Sequence, residues 1–177
     1  MVGVDDRAAA YQAVSYLIQQ GHRKIAVLGG PATSYPSMMR RQGAQQAMED
    51  AGIRFEDKLY GLSNYDFESA YHAMNGLLAR RAEFTALFAM SDVIAFGAIR
   101  ALVSAGLQVP EDVSVIGFDG ITMSRYCVPV MTTIVQPSEQ IALQSIELLV
   151  RQIEHGAPAQ TVTLQPELQQ GESVRAI

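Results

Sequence analysis

Val109-Pro110-Glu111-Asp112-Val113-Ser114-Val115-Ile116-Gly117-Phe118-Asp119 is the stretch that decides the fold. Pro110 and Asp112 punctuate the end of a loop, and the β-branched run Val113, Val115, Ile116 reads as a short buried strand. Gly117 gives the backbone freedom where that strand ends, so Asp119 stands just past a carboxyl end. In open α/β sheets that edge is where ligands bind.

Working outward, strand and helix alternate. Upstream, Asp5 and Asp6 open a helix carrying Ala10, Ala13, Val14, Leu17 and Ile18 at helical spacing, and Gly21 closes it. Only Val2-Gly3-Val4 precedes it, too little for a full strand, so the chain starts as if cut at a junction. Lys24 to Leu28 is a strand, closed by Gly29-Gly30-Pro31. A helix with the stripe Ala44, Ala47, Met48 and Ala51 follows, with Arg40 and Arg41 expected in its first turn. Leu59 to Leu62 is a weaker strand, a helix starts at Asp66 or Ser69, and Thr85 to Met90 is another strand. Ser91-Asp92 caps a helix carrying Ala95, Ala98, Ile99, Leu102 and Val103, ended by Gly106. This alternation predicts an α/β fold: a parallel sheet with right-handed crossovers and helices on both faces, in three layers.

After Asp119 the pattern changes. Ile121 to Pro129 is irregular, Thr132 to Gln136 is a short strand, and Ser138 caps a long helix ending at Gly156 and Pro158. Ile141, Ala142, Leu143, Ile146, Leu148, Leu149, Val150 and Ile153 cover more than one face of that helix, which predicts burial on two sides. Thr161 to Leu164 is a further strand. The chain divides into 1–136, the α/β unit; 137–166, the helix and strand; and 167–177, a tail with little pattern.

Nearly half the residues are hydrophobic and 18% are charged, enough for a sizeable core. The net charge of −5 makes the chain a poor candidate to grip nucleic acid by itself, because duplex affinity comes mostly from Lys and Arg on phosphates. Cys127 is the single cysteine, so no intrachain disulfide can form. Asp5, Asp6 and Arg7 interrupt the N-terminus before an apolar run develops, and no stretch approaches a membrane span. A soluble cytoplasmic protein without membrane contact is expected.

Four loops leave the carboxyl ends of the strands. They bring Arg40, Tyr65, Ser91 with Asp92, and Asp119 to one edge: a cation, an aromatic face, hydroxyls and carboxylates. Each has a plainer reading. Arg40 can be a surface arginine with its stem on the sheet, Tyr65 a core aromatic, Ser91 a helix cap and Asp119 a turn cap. Their joint arrival at one edge favours a ligand site. His22, His72 and His155 lack metal-ligand spacing. G-x-S-x-G, the phosphate-binding G-x-x-x-x-G-K-[ST] and G-x-G-x-x-G do not occur. With no cofactor loop and no nucleophile–base pair, binding is expected rather than catalysis, with no cofactor and no metal.

Five stretches resemble a known family. They are Gly21-His22-Arg23-Lys24-Ile25-Ala26-Val27-Leu28-Gly29-Gly30, Arg40-Arg41-Gln42-Gly43, Phe88-Ala89-Met90-Ser91-Asp92-Val93-Ile94-Ala95-Phe96-Gly97, Val109 to Asp119, and Pro129-Val130-Met131-Thr132-Thr133-Ile134-Val135-Gln136-Pro137. In this order they resemble the GHR-x-IA, R-x-x-G, F-x-x-N-D-x-x-A-x-G, VPEDVSVIGFD and P-x-LTTI-x-QP motifs of the lactose/galactose repressor family. The resemblance implies the second lobe of a periplasmic-binding-protein-like effector domain. A sugar or other small metabolite would lie between two lobes and shift the DNA affinity of a transcriptional regulator. It assigns effector binding to Arg40 and Asp119, a ligand contact to Ser91 (where the family carries Asn) and stacking on ligand to Tyr65. It also implies that the helix-turn-helix, the hinge helix and most of the first lobe lie outside this chain, so that DNA is reached only through them. The 138–156 helix would then normally return to the first lobe, and in this chain a homodimer is expected to cover it. A sugar-transport receptor and an α/β enzyme using Asp119 and Arg40 are the alternatives.

Overall fold

A computed structural model describes residues 1–81, 83–156 and 158–177. A six-stranded sheet runs β3(Tyr60–Leu62)-β2(Ile25–Gly29)-β4(Ala86–Ala89)-β5(Ser114–Asp119)-β6(Thr132–Val135)-β8(Glu167–Gln169). The first five strands are parallel, and β8 joins β6 antiparallel. β2 and β4 are buried along their whole length, as continuous apolar runs in a covered parallel sheet should be.

Two helix pairs cover the sheet. α1(Asp6–Gln19) packs on α2(Tyr35–Asp50), and α3(Phe67–Ala79) packs on α4(Asp92–Ser104). The chain leaves β2 toward the β3 edge, then reverses through β4 to β5. Right-handed crossovers therefore put the two pairs on opposite faces. The core between the layers includes Leu17, Leu28, Met48, Met74, Leu77, Phe88, Ile94, Leu102, Ile116 and Phe118.

The helix starts follow local chemistry. Asp5 Oδ1 accepts from Ala8 N at 3.0 Å, Asp66 Oδ1 from Ser69 N at 2.7 Å and Ser91 Oγ from Ile94 N at 3.1 Å, so each satisfies an orphan amide of its helix's first turn. α2 begins at Tyr35 with Pro36 in its first turn, earlier than the sequence suggests, which puts Arg40 in the second turn. Gly43 then decides how α2 meets α1: a Cβ there would lie 2.0 Å from the Arg7 carbonyl oxygen. Without a side chain the helices approach closely, and Arg40, one turn before Gly43, reaches Asp6.

Three features depart from the sequence reading. Val2–Val4 does form a strand, β1, because it has a parallel partner in β7(Val162–Leu164), remote in sequence. β8 lies in the stretch read as tail, and the following residues bond along the sheet: Val115 N donates to Ser173 O, and Ser173 Oγ donates to Val115 O. α5(Ser138–His155) has Pro137, not Ser138, at its N-cap, and none of its residues is buried within this chain. Leu143, Ile146, Leu149 and Ile153 face outward, Ile153 being 74% exposed. Among the described residues no helix is long and apolar enough to cross a membrane.

Candidate functional site

The carboxyl edge of the sheet gathers the four residues singled out from the sequence, and the Arg40–Asp119 pair is its centre. Arg40 is only 6% exposed. Its Nε donates to Asp6 Oδ1 at 2.7 Å, and its Nη1 donates to the Met90 carbonyl at the end of β4 and lies 3.5 Å from Asp119 Oδ1. The guanidinium carbon sits 3.7 Å from the centroid of the Phe118 ring, so one face of the ion rests on an aromatic. The stem of Arg40 continues the buried stripe of Ala44, Ala47 and Met48, and the charge is held at the sheet edge instead of in solvent.

Asp119 ends β5 with φ +112°, and Gly120 follows at φ +71°. A non-glycine residue there is strained, typically by about 1–3 kcal/mol. The surroundings hold it: Gln136 N donates to Asp119 O at 3.0 Å and Gln136 Nε2 donates to Asp119 Oδ1 at 2.7 Å. Burial pushes the Asp119 carboxyl above its usual range. The Arg40 guanidinium and the Gln136 bond pull it back down, and the nearby Asp6 adds to the rise.

Asp92, wholly buried, anchors the loop beyond Asp119. Its Oδ2 accepts from Ile121 N at 2.8 Å and its Oδ1 from Thr133 Oγ1 at 2.6 Å. Gly117 makes the room: a Cβ there would come 2.2 Å from Asp92 Oδ1. Burial drives the Asp92 carboxyl up to about 6; hydrogen bonds from Thr133, Ile121 and Gly120 oppose the rise, and the nearby Asp119 adds to it.

Tyr65 and Ser91 stand at the same edge in different circumstances. Tyr65 has φ +60°, and its ring packs over Gly30. Its hydroxyl lies 2.7 Å from Ser37 Oγ, which is on the face of α2 that carries Arg40 one turn later. Ser91 is buried and its Oγ caps α4, the plainer role anticipated for it. It follows Met90, whose carbonyl receives Arg40. Arg41 points elsewhere, over the Tyr60 ring at 4.5 Å and toward Asp57.

The sequence reading missed three members of this edge. By sequence Asp6 is only a helix opener, yet a helix that precedes a parallel strand begins at the sheet's carboxyl edge, and topology alone puts Asp6 there. Gln136 directly follows β6, at a fifth strand end on the same edge. Phe118, next to Asp119, alternates to the other side of the strand and meets the guanidinium. Beyond Asp119 a groove of about 700 Å³ opens, lined by Gly120, Arg125, Gln136, Ser138 and Glu139 among others. Among the described residues no group of three or more His, Cys, Asp or Glu side chains could hold a metal ion.

What the edge offers is hydrogen-bonding chemistry: a fixed cation, an oriented carboxylate, hydroxyls and aromatic faces. The model of the periplasmic binding protein-like domain matches residues 14–174. The chain is 38% identical over 172 residues to the HTH-type transcriptional regulator MalR of Clostridium butyricum, covering 97% of this chain and 51% of that protein. In three dimensions it resembles a transcriptional regulator CelR–cellobiose complex, with a TM-score of 0.93 and 34% identity over 97% of this chain and 53% of that one. It also resembles a regulatory protein of the LacI family from Chloroflexus aggregans, with a TM-score of 0.89 and 34% identity over 98% of this chain and 63% of that one. The chain thus spans about half the length of the curated relatives it matches. These relatives are named as transcriptional or regulatory proteins. Matched over most of its length by that domain model and in fold by those regulators, the chain belongs to the periplasmic-binding-protein-like family, in the form carried by LacI-family transcriptional regulators.

Proposed function

We propose that the carboxyl edge of the sheet binds a small-molecule effector, a sugar or related metabolite, and that this chain is one lobe of the sensor of a DNA-binding regulator. The observation that carries the reading is the buried Arg40 guanidinium facing the Asp119 carboxylate at 3.5 Å. Arg40 donates charge-assisted hydrogen bonds to the effector and Asp119 accepts from its hydroxyls. Tyr65 stacks on an apolar ring face, and the Ser91 hydroxyl proton supplies one further short-range donor. The likeness to a regulator in complex with cellobiose supports a sugar as the class of guest. The protein acts by binding, without a cofactor, and works in the cytoplasm.

The part of the regulator outside this chain closes the other side of the effector and reads DNA. Effector binding changes lobe closure and thereby operator affinity, a coupling typically of about 1–3 kcal/mol. Residues 1–136 form the second-lobe body and 137–166 the return toward the first lobe. The outward apolar face of α5 is covered in the assembled protein, which is a homodimer.

A thermal-shift screen of the full-length regulator with neutral sugars, sugar phosphates and nucleobases tests the reading. One sugar class raises the melting midpoint, and Arg40→Lys, which keeps the charge but loses the planar fork, shrinks that shift. A screen in which no small metabolite moves the midpoint, or an Arg40→Lys protein that responds like the wild type, contradicts it.

A further inference from the structure

The guanidinium of Arg40 is already largely engaged. Nε–H points to Asp6 Oδ1, and Nη1 is shared by the Met90 carbonyl and Asp119 Oδ1. Phe118 closes one face. Among the described residues Nη2 has no protein partner, and it is not sealed from solvent, because no buried side-chain nitrogen or oxygen lacks a partner. Asp119 is divided likewise. Oδ1 receives Gln136 and Arg40, while Oδ2 has no partner among the described residues. A guest at this pair therefore finds, among the described residues, one N–H group without a partner, Nη2, and one acceptor without a partner, Oδ2, on two side chains that approach to 3.5 Å through Nη1 and Oδ1. A hydroxyl group satisfies both. An anion accepts from Nη2 and then faces carboxylates on both sides of a single cation. The other charges along the adjoining groove, Arg125 and Glu139, are exposed and of opposite sign, so they add no net attraction for an anion.

From this geometry we infer that Asp6 is a specificity-determining residue: by neutralising Arg40 from behind, it makes the site select uncharged, hydroxyl-bearing guests and reject phosphorylated or carboxylated ones. The inference rests on the carboxyl edge being the ligand site. Asp6 touches no guest. It acts through the guanidinium, and the 2.7 Å contact to Nε, shorter than the 3.5 Å contact from Nη1 to Asp119, makes it the nearer counter-charge.

Inorganic phosphate is the probe, titrated at low ionic strength into isotope-labelled chain and followed at the Arg40 Nε–H resonance. Asp6→Asn keeps an oxygen for Nε and removes only the charge, so the pocket retains its shape. The expected series is weak or absent binding in the wild type, binding tighter by about tenfold or more in Asp6→Asn, and tighter again in Asp6→Asn/Asp119→Asn. Asp5→Asn changes net charge equally at a solvent-exposed helix cap that asparagine keeps, and it titrates like the wild type. A flat series, or an Asp5→Asn protein that gains as much as Asp6→Asn, overturns the inference. A flat series in a protein whose edge still responds to neutral sugars rejects the role of Asp6 and keeps the ligand site. A graded series in a protein that no neutral guest perturbs shows that Asp6 masks the Arg40 charge but overturns its role in selecting neutral guests, together with the ligand-site reading.

Discussion

The two ends of the sheet handle buried polarity in opposite ways. At the carboxyl end, charges are held under cover: Arg40 and Asp119, with hydrogen-bonding capacity left over, and Asp92, both carboxyls being pushed up by burial. At the amino end the C-terminal segment closes the polar groups against one another. Ser173 Oγ accepts from Thr132 N and donates to Val115 O, Arg175 N donates to Ser114 Oγ, and Ile177 N donates to Gln20 O. His22 sits there, buried, with Nε2 3.1 Å from the Arg175 carbonyl and Nδ1 2.9 Å from Thr85 Oγ1. A carbonyl only accepts, so Nε2 carries the proton and Nδ1 takes the Thr85 hydroxyl. Burial lowers the affinity of this imidazole for a second proton, with the Arg175 charge acting in the same direction and the bond to its carbonyl against it. One end keeps capacity for a partner from outside. The other is complete within the chain.

The ends should therefore answer acid with opposite signs. Asp92 binds its proton more tightly in the folded protein than in the unfolded one, its carboxyl rising from 3.8 to about 6. Its contribution to stability is fully present below pH 3.8 and is lost as pH rises through about 6. The loss is on the order of 2–3 kcal/mol at neutral pH. Asp92→Asn should remove that dependence, so urea denaturation should find the variant gaining on the wild type between pH 4 and pH 7. A constant difference across that range would mean that burial of the carboxylate costs the fold nothing. The smaller effect belongs to His22. Its lowered affinity makes its contribution fully present above pH 6.5 and lost as pH falls toward its folded-state value. His22→Gln should flatten that part of the stability profile, and a profile unchanged from the wild type would place the acid sensitivity elsewhere.

The same contrast explains what could be read from the sequence. Strands β2, β4 and β5 are apolar runs bounded by glycine, serine or proline, and their helices carry aspartate or serine caps, so local chemistry marks both ends of each element. Arg40, Tyr65, Ser91 and Asp119 follow because strand ends in a parallel sheet share an edge. The partners of that edge were harder. Asp6 looks like a helix-opening acid until Gly43 is known to let α2 close on α1. β1 and β8 are three residues each, too short to show a period, and exist because β7 and β6 offer their backbones. The wide apolar surface of α5 is legible from its periodicity, but none of its residues is buried within this chain.

The most direct test of the ligand site is calorimetry on the full-length regulator with the neutral sugar that raises its midpoint most, comparing the wild type with Asp119→Asn. Asparagine tolerates the unusual backbone and can still accept from Gln136, so the fold should survive while the acceptor at Oδ2 becomes a donor. The expected loss is about 1.5–3 kcal/mol of effector affinity, roughly 10- to 150-fold. Equal affinity in the two proteins would contradict the assignment of this edge as the place where the effector binds.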